Sequence, residues 1–363
     1  MTDSSSLGLC LSILHGARTL FRPVLVALFN PRISWSHRWR LLLLQPILFL
    51  TYSIHKIPYI SSRPFTVEFI PVGPNGSLVR VLVFKSGDNK ANSGRKLRPL
   101  HLDIHGGAFI GGLPENFAPF DDRVAGETGA VVVSITYRFA PEHTFPAAID
   151  DVDRTLEWLR ENAESRWGAD PTLMTISGSS AGGNLALAAT QRPECHGSAP
   201  TALKAAITFY AVVDQRISPW QKPRPEKMPS PKSDPMRWLM PLFDSYPAKA
   251  RKDHLDDPRL SPVLAERETM PDRMLMVIPM VDILVAEQME FVQSMREQHL
   301  KSGRNSDGSE EWLQVVEEED AFHGYLELPE VVIPEEMKAR AFDPAITLLK
   351  EVYEKHGWMY EVS

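Results

Sequence analysis

From about residue 65 onward the chain alternates short apolar runs with segments of helical periodicity. Val79–Phe84, Leu100–Ile104, Val131–Ile135, Leu173–Ser177, Ala205–Tyr210 and Met274–Ile278 are β-branched or apolar throughout. That is the pattern of strands covered on both faces. Between them, Ala147–Asn162 sets Ile149, Val152, Leu156 and Leu159 on one helical face. Gly182–Thr190 is small and apolar, as suits a helix packed on a sheet. Neighbouring parallel strands need a crossover, and a helix supplies it. The pattern predicts an α/β fold, with a mostly parallel central sheet and helices on both faces.

Two segments stand outside this alternation. Residues 1–60 are basic and apolar, and they read as a helical N-terminal cap or lid on a main domain spanning 61–363. Within them Leu41–Ile54 is uncharged but only 14 residues long, with Pro46 inside. A membrane span needs about 20 residues, so this stretch reads as a bent amphipathic or buried helix. The second segment is an insertion at about 215–260, with eight prolines from Pro219 to Pro247. Proline at that density excludes regular strand. Its Trp220, Met236, Trp238 and Met240 suit either an adaptable apolar substrate wall or a surface insertion that packs down on the body.

Charge changes the picture in one respect. The 363 residues carry a net charge of −7, which gives no ground for a nucleic-acid partner. Residues 1–58 hold six Lys and Arg against Asp3 alone, whereas the remainder holds 33 against 45 acids. A basic, apolar leading segment on an acidic body points to peripheral membrane contact or to a lid closing over the body. The start does not read as a secretory signal, because Asp3 replaces a positive leading region. Cys10 and Cys195 form no disulfide framework, and they read as free buried thiols of a reducing compartment. These features describe a cytoplasmic protein, with membrane association and a homodimer left open.

The candidate chemistry begins at Gly178-Ser179-Ser180-Ala181-Gly182, between a predicted strand and a predicted helix. Such glycines let the backbone turn sharply and present Ser180 at a strained elbow, with amides of the helix N-terminus facing outward. His105-Gly106-Gly107-Ala108-Phe109 follows directly on Leu100–Ile104. Its paired glycines let N–H groups converge where an oxyanion would form. His105 reads as a residue that holds the loop.

These motifs, 75 residues apart, together with Tyr137–His143 and Asp257–Pro262, resemble the hormone-sensitive-lipase-like branch of the α/β-hydrolases, which includes many carboxylesterases. Three positions depart from that pattern. Ala108 stands for a third glycine, Ser179 for an acid before the nucleophile, and Met280 for a glycine before the triad acid. The resemblance implies a triad in the order serine, acid, histidine. His323, in Phe322-His323-Gly324-Tyr325 after the run Trp312–Val316, fits the base. Asp282, after Met274–Ile278, fits the acid better than Asp256 or Asp257. The acidic run Glu317–Asp320 reads as a solvated face that would raise the pKa of His323 only if it lay near the site.

The expected protein is therefore a serine hydrolase acting on a hydrophobic small-molecule ester. Its catalytic residues would be Ser180, Asp282 and His323, and its oxyanion donors Gly106, Gly107 and Ala181, with Ala108 as a further donor. No cofactor is expected, and no residue group has metal-ligand spacing. Acyl transfer or a cyclisation in a biosynthetic pathway would use the same triad, and a non-catalytic receptor would use the same scaffold.

Overall fold

The structure, a computed structural model, describes residues 4–87, 96–228, 237–302 and 312–360, and side chains from residue 16 onward. Asp3, Cys10 and Met236 lie outside the described side chains.

The six predicted strands belong to one eight-stranded sheet. They are β2 (Val79–Phe84), β3 (Arg98–Ile104), β4 (Val131–Ile135), β5 (Ala169–Ser179), β6 (Ala205–Phe209) and β7 (Arg273–Val281). Two edge strands complete it, β1 (Phe65–Ile70) and β8 (Leu313–Phe322), in the order β1-β2-β4-β3-β5-β6-β7-β8. β2 runs antiparallel to β1 and β4, and every other pairing is parallel. The edges escape a search for continuous apolar runs because each has one wet face. In β1 only Phe65 and Ile70 are buried. In β8 the acidic run alternates, with Glu318 buried against Arg340 at 3.4 Å while Glu317, Glu319 and Asp320 face solvent.

Strand side chains alternate between two cores. Val81, Val83, Leu100 and Leu102 pack with α4 (Ala147–Trp167) and α5 (Ala181–Thr190). Leu82, Phe84, Val132 and Ile207 pack with α3 (Ala118–Thr128) and α8 (Glu335–Lys355). The remaining crossover, α7 (Val285–Lys301), covers Met274, Met276 and Ile278. Helices therefore cover both faces, as the alternation predicts.

The leading residues form two helices, α1 (Ser4–Phe29) and α2 (Trp35–Lys56). Ser34 caps α2, accepting from the His37 amide at 3.3 Å. Arg38 closes the turn by donating to the carbonyl of Ala27, in the last turn of α1, and to those of Asn30 and Ile33 beyond it. Of the two readings of Leu41–Ile54, the amphipathic helix holds and the buried helix does not. Of α2 only Leu41, Leu44 and Tyr52 are buried, and the opposite face is open. Its inner face meets the proline-rich insertion, where Arg40 Nε donates to Trp238 O at 2.6 Å and the Trp39 and Trp238 rings stack at 6.2 Å. The insertion, which holds the short helix α6 (Met240–Phe243), packs down through Leu239, Leu242 and Tyr246, and Lys222 anchors it in a buried ion pair with Glu287 of α7. Cys195 is a buried free thiol.

Candidate active site

β5 ends at Ser179 and α5 starts at Ala181, so Ser180 occupies the turn between them. Its φ of 51° and ψ of −115° lie in a region that L-residues rarely adopt, at a cost of order 1–3 kcal/mol. The surroundings enforce it. Ser180 N donates to Phe209 O of β6 at 2.8 Å, and Ser180 O accepts from Val212 N and Asn184 N, both at 3.2 Å. Gly182 is required by close approach, since a Cβ there would stand 1.9 Å from Ile104 O at the end of β3.

Ser180 Oγ lies 2.9 Å from His323 Nε2, and His323 Nδ1 lies 2.8 Å from Asp282 Oδ2. Asp282 is fully buried just past the end of β7, and its Oδ1 accepts from Leu284 N at 3.1 Å. A carboxylate only accepts, so Nδ1 carries the ring hydrogen and Nε2 faces the hydroxyl as an acceptor. His323 follows β8, with 41% of its side chain open to solvent. The Tyr210 ring packs edge-on against it at 5.1 Å. Surrounding protein pulls the imidazole pKa down, but the charge and hydrogen bond of Asp282 and then the charge of Glu327 outweigh it. The net shift is upward from the ordinary value. Asp257 lies elsewhere, 3.2 Å from His254, with its backbone in the loop that Arg259 ties to Asp153 at 2.7 Å.

The Gly106–Phe109 loop continues from β3. Gly107 takes a φ of 115°, and a Cβ on it would meet Gly111 O at 2.2 Å. Ala108 and Phe109 follow at φ 52° and 60°, left-handed conformations that a glycine at 108 would adopt more cheaply. The turn is held by Ile110 N and Gly111 N donating to Gly107 O at 3.0 and 3.2 Å, and by Ala140 N donating to Phe109 O at 2.8 Å. Among the described residues, Gly106, Gly107 and Ala181 donate none of the turn hydrogen bonds. His105 braces the loop from behind, with Nδ1 2.6 Å from Gly106 O and Nε2 3.1 Å from Thr136 Oγ1. Burial pushes its pKa down to about 4, so the ring is neutral. Tyr137 stacks on it at 4.8 Å and donates to His105 O at 3.2 Å, which gives the Tyr137–His143 motif its bracing role.

The leading helices grip the same loop. Arg22 donates to Ile110 O, Phe139 O and Ala140 O at 3.1, 2.8 and 3.1 Å. Gly112 N donates to Tyr52 Oη at 3.3 Å.

One residue was invisible in the sequence. Glu327 closes the short turn Tyr325–Glu327, four residues after His323, and only its neighbourhood marks it. Its Oε2 accepts from Asn116 Nδ2 at 3.0 Å, and its Oε1 lies 3.4 Å from Ser179 Oγ and 3.5 Å from Tyr210 Oη. Burial raises its pKa, against those hydrogen bonds and the nearby His323. The carboxyl thus ties the elbow to the wall behind the oxyanion loop. The acidic run Glu317–Asp320 is largely the solvated face that its pattern predicts, and its Glu319 pairs with Lys227 at 2.7 Å. Because the Glu327 charge favours imidazolium, Glu327→Gln is expected to move the acid limb of the kcat/KM profile to lower pH. An unmoved limb would reduce Glu327 to a packing role.

Among the described residues no three His, Cys, Asp or Glu side chains converge as a metal-ligand group. The arrangement is a hydroxyl, an imidazole and a carboxylate in series beside a loop of spare amides, on a doubly covered parallel sheet. It belongs to the hydrolases that set a serine on a strand-to-helix elbow. Residues 101–325 match the alpha/beta hydrolase fold family, and the chain is a member of that family, in its hormone-sensitive-lipase-like branch.

The chain is 38% identical over 152 residues to esterase LipQ of Mycobacterium tuberculosis, across 40% of this chain and 35% of that protein. It is 44% identical over 92 residues to arylacetamide deacetylase of Mus musculus, across 24% of this chain and 23% of that protein. The matched region thus spans about a third or less of the length of these curated relatives. Among solved structures, an esterase of Pyrobaculum calidifontis superposes with a TM-score of 0.65 at 23% identity, covering 92% of this chain and 98% of its own. Carboxyl esterase 2 of the fungus Tuber melanosporum gives 0.61 at 22%, covering 81% and 89%. At these identities the two structures establish the shared fold.

Proposed function

We propose that the protein is a serine hydrolase that cleaves a carboxylic ester through an acyl-enzyme. The observation that carries this reading is the continuous hydrogen-bonded series from Ser180 Oγ through His323 to buried Asp282. His323 Nε2 takes the hydroxyl proton as Ser180 Oγ bonds to the ester carbonyl carbon. Asp282 holds the ring tautomer and stabilises the imidazolium. The amides of Gly106, Gly107 and Ala181, with Ala108 as a further donor, receive the oxyanion. His323 then returns the proton to the leaving alkoxide, and the C–O bond breaks. Water enters, gives its proton to His323 and releases the acid by the same path. Relatives that bear esterase names support the choice of an ester bond.

The neighbouring apolar packing supports a substrate class. α1 and α2 cap the oxyanion loop with apolar residues such as Leu48, and the insertion packs behind them. This favours an apolar small-molecule ester over a charged one.

A fluorophosphonate probe tests the reading against a receptor on the same scaffold. The expected result is one adduct per chain, mapped by mass spectrometry to Ser180 and absent from Ser180→Ala. A folded chain that takes up no probe would overturn it.

A further inference from the structure

Thirteen of the 21 large apolar side chains that stand exposed among the described residues fall between Phe21 and Ile60. Isolated exposed apolar residues are ordinary, whereas a contiguous face of them marks a docking surface. On α2 the exposed Leu42, Leu43, Ile47, Leu50 and Ile54 lie along one broad stripe at 100° per residue, and the exposed Ile57 follows at its C-terminal cap. On α1 the exposed Phe21, Leu25, Leu28 and Phe29 do the same. Both stripes are the sides of the helix pair left uncovered by the body.

The charge around this face selects its occupant. No Asp or Glu occurs from residue 4 to residue 67, while seven Lys and Arg do. Arg18, Arg32 and Arg63 are exposed. A second copy docked through the same face would set cations against cations with no acid to answer them. An anionic lipid surface answers them, and it takes up the apolar side chains as well.

The manner of contact is also fixed. α2 is long and apolar enough to cross a bilayer by composition. Its inner side is nevertheless tied to the body at both ends, by His37 Nε2 3.1 Å from Pro241 O and by the Tyr52 bond to Gly112. Crossing would break those ties and strip Leu41 and Leu44 from the core. We infer that the α1–α2 pair lies flat in the interface of an anionic bilayer, with its outer apolar stripe in the acyl boundary and its arginines among the headgroups.

The test is flotation of the purified full chain with vesicles of phosphatidylcholine, alone or mixed with phosphatidylserine. Wild type should float with the mixed vesicles, and less so at high salt. Arg18→Ser and Arg32→Ser should each lower that partition about fivefold. Leu43→Glu/Leu50→Glu should lower it at least about tenfold, with thermal unfolding unchanged. Ser180→Ala should float as wild type does, so the outcome is independent of the proposed reaction. Wild type that stays in solution with both vesicle types would overturn the inference. So would a double variant that floats equally well, or a wild-type dimer that the double variant converts to monomer, which would assign the face to a second copy.

Discussion

Replacing Ser180 by alanine is expected to lower kcat/KM toward a short-chain p-nitrophenyl ester by on the order of 10⁶, the scale seen when a triad serine is removed, with an unchanged melting temperature. In the proposed reaction the hydroxyl is the bond-forming atom, and among the described residues Ser180 Oγ is the group hydrogen-bonded to His323 Nε2. The fold should survive because the elbow is held by backbone, through the bonds to Phe209, Val212 and Asn184. Alanine keeps all three and keeps the same φ of 51°, so the strain is equal in both proteins. Residual turnover would come from the amide loop acting on a bound ester with water. A variant retaining activity within tenfold of wild type would remove Ser180 from the reaction.

The second large effect is expected at Asp282. Asp282→Asn should cost on the order of 10⁴ in kcat/KM while leaving the side chain's shape intact. The carboxylate accepts from His323 Nδ1 at 2.8 Å. An asparagine turned to keep the Leu284 amide on its oxygen presents an NH₂ to Nδ1. The ring hydrogen then moves to Nε2, which meets Ser180 as a donor and cannot take its proton. The lost charge has a second effect of known sign. Asp282 is the strongest influence holding the imidazole above its ordinary value, so the remaining activity should show its acid limb at lower pH. Asp257→Asn is the control, because its carboxylate serves His254 and the Arg259 amide, and it should stay within a few-fold of wild type. Equal losses at the two positions would reverse the assignment of the acid.

How far the sequence reaches depends on how local each signal is. The inner strands were legible because a strand covered on both faces must be apolar at every position. Edge strands β1 and β8 were not, since a half-wet strand mixes polar and apolar residues and resembles loop. Ser180 and Gly106–Gly107 were legible because a sharp elbow and a loop of spare amides both need glycine at fixed offsets. Asp282 and His323 needed the resemblance to order them, since a lone Asp or His after a strand has no local mark. Glu327 had no mark at all. Its place beneath the oxyanion wall depends on Asn116 and Ser179, 211 and 148 residues away in the chain. The leading helices were legible as basic and apolar, but periodicity alone does not say which apolar stripe faces the body. The contacts that decide it come from Phe139, Trp238 and Pro241.

Those distant contacts bear on how the chain is made. The two leading helices leave the ribosome before the body that follows them, and Arg40 waits 198 residues for the Trp238 carbonyl that it binds. At about 5–20 residues per second, the inner stripe of α2 stays uncovered for roughly 10–40 s, alongside an outer stripe that the finished body never covers. During that interval the hairpin is apolar on two sides and cationic at its rim. A lipid surface close to the site of synthesis would shelter the outer side before the body exists to take the inner one.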